Sequence, residues 1–112
     1  MSKTDPSSID SEDCQPSSPL PEGFIARELM IINRKGLHAR ATAKLVQCFE
    51  AYDAEVLVSR GAETVGGSSI MGILTLGAGP GTTIRVAAKG HDAADLLAAV
   101  ELLIGDRFGE DE

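Results

Sequence analysis

Apolar positions change their spacing along the chain, and each change marks a new element. Phe24 to Ile32 is apolar and rich in β-formers, which predicts a first strand. Its phase is open, because Leu29 and Ile31 compete with Met30 and Ile32 for the buried face. Asn33-Arg34-Lys35-Gly36 then reads as a loop. From Ala39 to Ala51 the period becomes three and four, so Thr42, Leu45, Val46, Phe49 and Tyr52 share one helical face. Ala54, Val56 and Val58 next alternate with Glu55, Leu57 and Ser59, the pattern of a half-buried strand. Arg60-Gly61-Ala62 predicts a hairpin turn, and Glu63 to Val65 its short returning strand.

Ser69 to Leu76 is a short apolar segment between Gly66-Gly67 and Gly77, which predicts a short helix with a serine N-cap. Gly79-Pro80-Gly81 predicts a turn. Thr83 to Ala88 sets Ile84 and Val86 against Arg85 and Ala87 as a fourth strand. Asp92 can cap a last helix, with Ala93, Leu96, Leu97, Val100, Leu103 and Ile104 as its apolar stripe. The acidic end, Asp106 to Glu112, is expected to fray. The order is β-α-β-β-α-β-α, an α+β pattern. Its economical arrangement is a four-stranded antiparallel sheet with three helices on one face.

The first 21 residues depart from this patterning. They hold four of the five prolines, six serines, one base and four acids. Such a stretch buries too little surface to offset its ordering entropy, so 1–21 is expected to be a disordered tail and 22–112 the folded domain. The whole chain has 112 residues and a formal net charge of −7, which argues against nucleic acid as a partner. No apolar run reaches the length that spans a bilayer, and the polar N-terminus has no apolar h-region, so neither membrane insertion nor a secretory signal is expected. Cys14 and Cys48 form no disulfide framework or metal motif, and a reducing cytoplasm is the simplest compartment. No cofactor or metal is expected.

The candidate chemistry is at Gly36-Leu37-His38-Ala39-Arg40. A histidine stands where loop becomes helix, near the N-cap, with an arginine at the second helical position. First-turn amides lack helical partners and carry partial positive charge, which makes the helix mouth an anion site. Gly36 allows the bend that presents His38. From Asn33 to Lys44 there are four bases (Arg34, Lys35, Arg40, Lys44) and no acid, in an acidic protein. A neutral imidazole is a nucleophile near pH 7. Phosphoryl transfer needs in-line positioning and charge stabilisation, which amides and one guanidinium supply. A histidine at a helix start can equally be an ordinary surface or capping residue, and Arg40 a solvated charge.

Gly36-Leu37-His38-Ala39-Arg40 followed by Ala43-Lys44-Leu45-Val46 resembles the phosphorylation-site signature of HPr, the phosphocarrier of the bacterial phosphoenolpyruvate-dependent phosphotransferase system. Ser68-Ser69-Ile70-Met71-Gly72 with Leu74-Thr75-Leu76-Gly77 resembles the second signature, and the likeness spans roughly residues 26 to 108. It implies the HPr-like open-faced β-sandwich and a monomeric carrier rather than a free-standing enzyme. By the same resemblance His38 is the phosphoryl acceptor through Nδ1 and Arg40 its phosphate-stabilising partner. Enzyme I is the implied donor and a IIA-type protein the recipient, serving sugar uptake or nitrogen-related regulation. Tyr52 to Leu57 and the C-terminal Leu97-Ala98-Ala99-Val100 look more like the nitrogen-related (NPr) branch.

Two positions and one apolar patch carry further expectations. Ala41 stands where most family members have proline, which restores an amide that can face phosphate. Ser69 matches a serine that an HPr kinase/phosphorylase modifies in some members, and phosphate there would set charge beside Ile70, Met71 and Leu74. Otherwise it is only a helix cap. Leu37, Ile70, Met71 and Leu74 are expected as an exposed partner-binding patch, although part of that helix must be core. His91, Cys48 and the glycines from Gly77 to Gly81 are read as inert turn or packing residues. The alternatives are a regulatory binding module of the same fold that transfers nothing, and a small α/β hydrolase or nucleotide enzyme, for which no second acid/base group is evident.

Overall fold

The computed structural model describes residues 21–110. The expected tail, with Cys14, falls almost wholly outside them, as do Asp111 and Glu112. Four strands and three helices follow the predicted order: β1 (Ile25–Met30), α1 (Ala39–Glu50), β2 (Glu55–Arg60), β3 (Glu63–Gly66), α2 (Ile70–Thr75), β4 (Thr83–Lys89) and α3 (Ala93–Gly105). The sheet order is β1-β4-β2-β3 with every pair antiparallel. The helices cover one face, and the other is open.

Side-chain alternation shows which face is covered. Val56 and Val58 of β2 and Ile84, Val86 and Ala88 of β4 join the core with Leu45, Val46 and Phe49 of α1 and Leu96, Leu97 and Val100 of α3. Burying such an aliphatic side chain contributes about 1.5–3 kcal/mol. The phase of β1 is decided by α3. Leu29 packs on the core and Ile31 is fully buried, while Met30 and Ile32 are exposed. Arg27 lies on the same side as Leu29, and its Nε is 3.5 Å from Glu101 Oε2 on α3.

Two positions expected to face solvent on the open side are buried. Ser59 is covered and shares a 2.9 Å hydroxyl hydrogen bond with Thr64, its register partner on β3. Ala87 is covered because β4 is a central strand, with Ala26 and Leu57 opposite it on either side. Tight turns close the strands as the glycines predicted. Gly61 at φ 60 opens the β2–β3 hairpin. Gly79 O accepts from Thr82 N (3.1 Å) across Pro80 and Gly81, the latter at φ 83, which is a type II turn.

The helix starts differ from one another. Ser69 caps α2 as expected, its Oγ accepting from Gly72 N at 3.0 Å. Asp92 holds the cap position of α3 but does not cap it. Its carboxylate instead accepts from Asp53 N (2.8 Å) in the turn before β2, tying two loops together.

The acidic end is the largest departure from expectation. It does not fray within the described residues: Arg107–Gly109 forms a 3₁₀ turn after α3 and buries Phe108 in the core. Arg107 (φ 54) and Phe108 (φ 57) both occupy the left-handed region, which side chains with a Cβ rarely adopt. Core burial of the Phe108 ring holds them there.

Candidate functional site around His38

The loop after β1 is built to present His38. Gly36 has φ 66, and a Cβ on it would stand 2.8 Å from both Ala78 O and Gly79 Cα. No other residue fits between these two backbones. Leu37 N donates to Ala78 O (2.9 Å), Gly36 N to Asn33 O (3.1 Å) and His38 N to Gly36 O (2.9 Å), so each residue before the helix is pinned. His38 is the N-cap of α1 in extended conformation, and Thr42 N donates to its carbonyl (2.9 Å). The imidazole makes no capping hydrogen bond and is 29% exposed.

That ring meets a group from the far end of the chain. Its Nε2 lies 2.5 Å from Glu110 Oε2. Glu110 Oε1 accepts from Asn33 Nδ2 (3.0 Å), which also donates to Gly36 O (2.8 Å). Both partners of this nitrogen are acceptors, which settles the orientation of the Asn33 amide. Asn33 is fully buried, and its Oδ1 has no hydrogen-bond partner among the described residues. Lys44 Nζ donates to Phe108 O (2.6 Å) and clamps the same turn from α1. Hydrogen bonds from Asn33 and His38, with the charges of His38 and Lys35 nearby, hold the Glu110 carboxyl below its usual range.

The four bases of the loop thus divide into roles. Lys44 is spent on Phe108, whereas Arg34, Lys35 and Arg40 are surface-exposed. Arg40 has no hydrogen bond or ion pair among the described residues. Ala39 and Arg40 are the exposed residues of the first helical turn. Ala41 is completely buried, so the amide expected to face phosphate is covered. The reason is packing: Ala41 joins the core cluster beside Leu45.

The expected apolar patch needs one correction. Leu37 is only 6% exposed and belongs to the core, because the hydrogen bond from its N–H to Ala78 O turns the side chain inward. On α2, which packs beside α1, Met71 is 71% and Ile70 39% exposed, Leu74 is half-buried, and Ile73 supplies the core contact. Ser69 is exposed at the same helix start. His91 is exposed in the turn before α3. Cys48 is half-buried on α1, and burial pushes its thiol up.

Asn33, Phe108 and Glu110 are the site residues that sequence reasoning missed. A lone Phe after an amphipathic helix was the available signal for Phe108. Nothing local marks Glu110 among the acids of that tail.

Docking of this segment should fail by two routes. Phe108→Ala removes a buried ring, a change that costs about 3–5 kcal/mol in a closed core. Here the terminal turn can leave instead of preserving a cavity, so a smaller loss of about 2 kcal/mol is expected. Acid is the second route. A depressed native carboxyl stabilises the docked state above the ordinary carboxylate range, and that contribution disappears as pH falls through the native value. In both cases the Glu110 and His38 NMR signals should move together while those of the sheet stay put. Independent movement of the two would contradict the contact.

Known proteins resemble this chain in sequence and in fold. Residues 25–106 match the family model for the PTS HPr component phosphorylation site. The phosphocarrier protein HPr of Cupriavidus necator is 42% identical over 89 residues, covering 80% of this chain and all of that protein. The phosphocarrier protein NPr of Shewanella violacea is 37% identical over 86 residues, covering 77% of this chain and 94% of that protein. The crystal structure of HPr-C-His from Thermoanaerobacter tengcongensis superposes with a TM-score of 0.75 at 33% identity, covering 79% of this chain and 99% of that one. The family-model match over residues 25–106, with relatives of 42% and 37% identity matched over almost their full length, places this chain in the HPr family of phosphotransferase-system phosphocarriers.

Proposed function

We propose that the chain accepts a phosphoryl group on His38 Nδ1 from enzyme I and passes it to a IIA-type protein in the cytoplasm, acting as a carrier and not as an enzyme with its own small substrate. The observation that carries this reading is the His38 ring itself. It is partly exposed at the mouth of α1, uncommitted to capping, with Nε2 held against Glu110. Nε2 faces a carboxylate, where an anionic phosphoryl group is repelled. Nδ1 is therefore the nitrogen suited to receive it. Its lone pair attacks phosphorus, the bond to the donor breaks, and the electron pair stays on the donor. The amides of Ala39 and Arg40 and the Arg40 guanidinium then offset the charge on the phosphoryl oxygens. Incubation with phosphoenolpyruvate and enzyme I tests this, by the appearance of one acid-labile phosphate per chain.

Ile70 and Met71 supply the apolar part of the docking surface, and flexible Met suits a surface that meets two partners in turn. Ser69 is the site for modification by an HPr kinase/phosphorylase, because its hydroxyl stands exposed beside them. Ser69→Asp keeps an acceptor for Gly72 N while placing charge at the patch. Transfer from enzyme I should slow at least tenfold with the fold intact. Ser69→Ala should leave transfer nearly unchanged and cost about 1 kcal/mol of stability from the lost cap. Equal transfer rates for the two variants would remove the regulatory role. The reading of a binding module that transfers nothing predicts no phosphate on any variant.

A further inference from the structure

We propose that Glu110 is a positioning residue for phosphoryl transfer: its carboxylate accepts Nε2–H of His38 and so holds the imidazole in the tautomer whose lone pair lies on Nδ1. The proposal rests on His38 being the acceptor and names what sets its reactive nitrogen.

Three observations converge on it. The first is the contact itself, with Nε2 2.5 Å from Glu110 Oε2. An ionised carboxylate has no proton to donate, so the shared hydrogen belongs to Nε2, and in the neutral ring Nδ1 is then the bare nitrogen. The second is that the carboxylate is held from both sides. Asn33 Nδ2 fixes Oε1 at 3.0 Å and is itself tied to Gly36 O at 2.8 Å, within the loop that presents His38. The third is the backbone that delivers it. Two consecutive left-handed residues, Arg107 and Phe108, turn the chain back from α3, and the buried Phe108 ring and the Lys44 bond to Phe108 O keep the turn in place. Conformations of that kind persist where the surroundings over-determine them, and they cluster at functional sites.

The chemistry follows without extra protons. Neutral His38 attacks through Nδ1, the donor keeps the electron pair of the bond that breaks, and the ring becomes a phosphorylated imidazolium with its hydrogen still on Nε2. Glu110 faces the positive charge that this step creates and offsets it. On donation to the next protein the P–Nδ1 bond breaks, the electron pair returns to Nδ1, and the neutral tautomer is restored. A carboxylate fixing the far nitrogen of a reactive histidine acts in the same way in metal sites and catalytic triads.

The test uses the full chain with ¹⁵N-labelled histidine. Above the imidazole titration range, the His38 ring nitrogens should report one tautomer with hydrogen on Nε2. Glu110→Ala, and separately deletion of residues 110–112, should give a mixture of tautomers and slow phosphoryl uptake from enzyme I about tenfold, the low end of what loss of a carboxylate partner costs a metal-binding histidine. Glu110→Gln retains an acceptor oxygen and should recover the tautomer but only part of the rate. An unchanged tautomer in Glu110→Ala overturns the proposal. So does faster uptake in that variant, which would make the carboxylate a plug over the anion site. If His38 is not the acceptor at all, His38→Ala still gains phosphate, whatever the ring nitrogens report.

Discussion

His38→Ala should gain no acid-labile phosphate from enzyme I while keeping its fold. Both halves of that expectation come from geometry. The ring is surface-accessible and makes no cap bond, and the hydrogen bond that starts α1 runs from Thr42 N to the main-chain oxygen of residue 38, which alanine keeps. The stability change should therefore stay near about 1 kcal/mol, the net worth of the one side-chain hydrogen bond lost, that to Glu110. No substitute acceptor is expected at the sequence's other histidine. His91 is exposed in a distant part of the sequence, in the turn before α3. Ser69 yields an acid-stable ester, which the same assay separates from the acid-labile P–N bond. Phosphate counted by mass, before and after acid, decides the matter: one labile group on the parent chain and none on His38→Ala. A labile group persisting on the variant would remove His38 from the mechanism.

The second large effect is expected at Gly36. Gly36→Ala adds a Cβ to a residue at φ 66, which costs about 1–2 kcal/mol by itself. The same Cβ lands 2.8 Å from Ala78 O and Gly79 Cα, both backbone atoms that cannot rotate away. Overpacking of that kind adds about 1–3 kcal/mol. A total of about 3 kcal/mol lowers the melting temperature by on the order of 15 °C for a domain of this size. The loss is also functional, because the strand-to-helix loop must move and it holds Asn33 O, Leu37 N and the start of α1. Gly61→Ala is the matched control. Gly61 has nearly the same φ, at 60, but its added Cβ meets nothing within 4 Å, so only the conformational cost of about 1–2 kcal/mol is expected. Equal destabilisation of the two variants, read from thermal melts, would show that the close approach at Gly36 contributes nothing.

Much of this protein is local and was legible in its sequence. Helix α1 announces itself by the spacing of Leu45, Val46 and Phe49, the hairpin by Gly61, and α2 by Ser69 with the apolar run behind it. The candidate site was legible too, because the first turn of a helix offers free amides to an anion and the residues from Gly36 to Arg40 are contiguous. Where one apolar residue competed with its neighbour, as Leu29 and Ile31 did with Met30 and Ile32, only the seating of α3 on β1 chose between them. Leu37 is an apolar residue beside an exposed histidine, and its burial goes with the hydrogen bond from its N–H to Ala78 O, not with any pattern. Glu110 lies 72 residues from His38. No periodicity links two such positions. Their meeting depends on how far α3 runs, on a left-handed turn that local propensity disfavours, and on a core pocket that accepts Phe108. Sequence spacing encodes contacts within one element, where geometry repeats. Contacts between distant segments are set by the packing of whole elements, and there the carboxylate reached the imidazole.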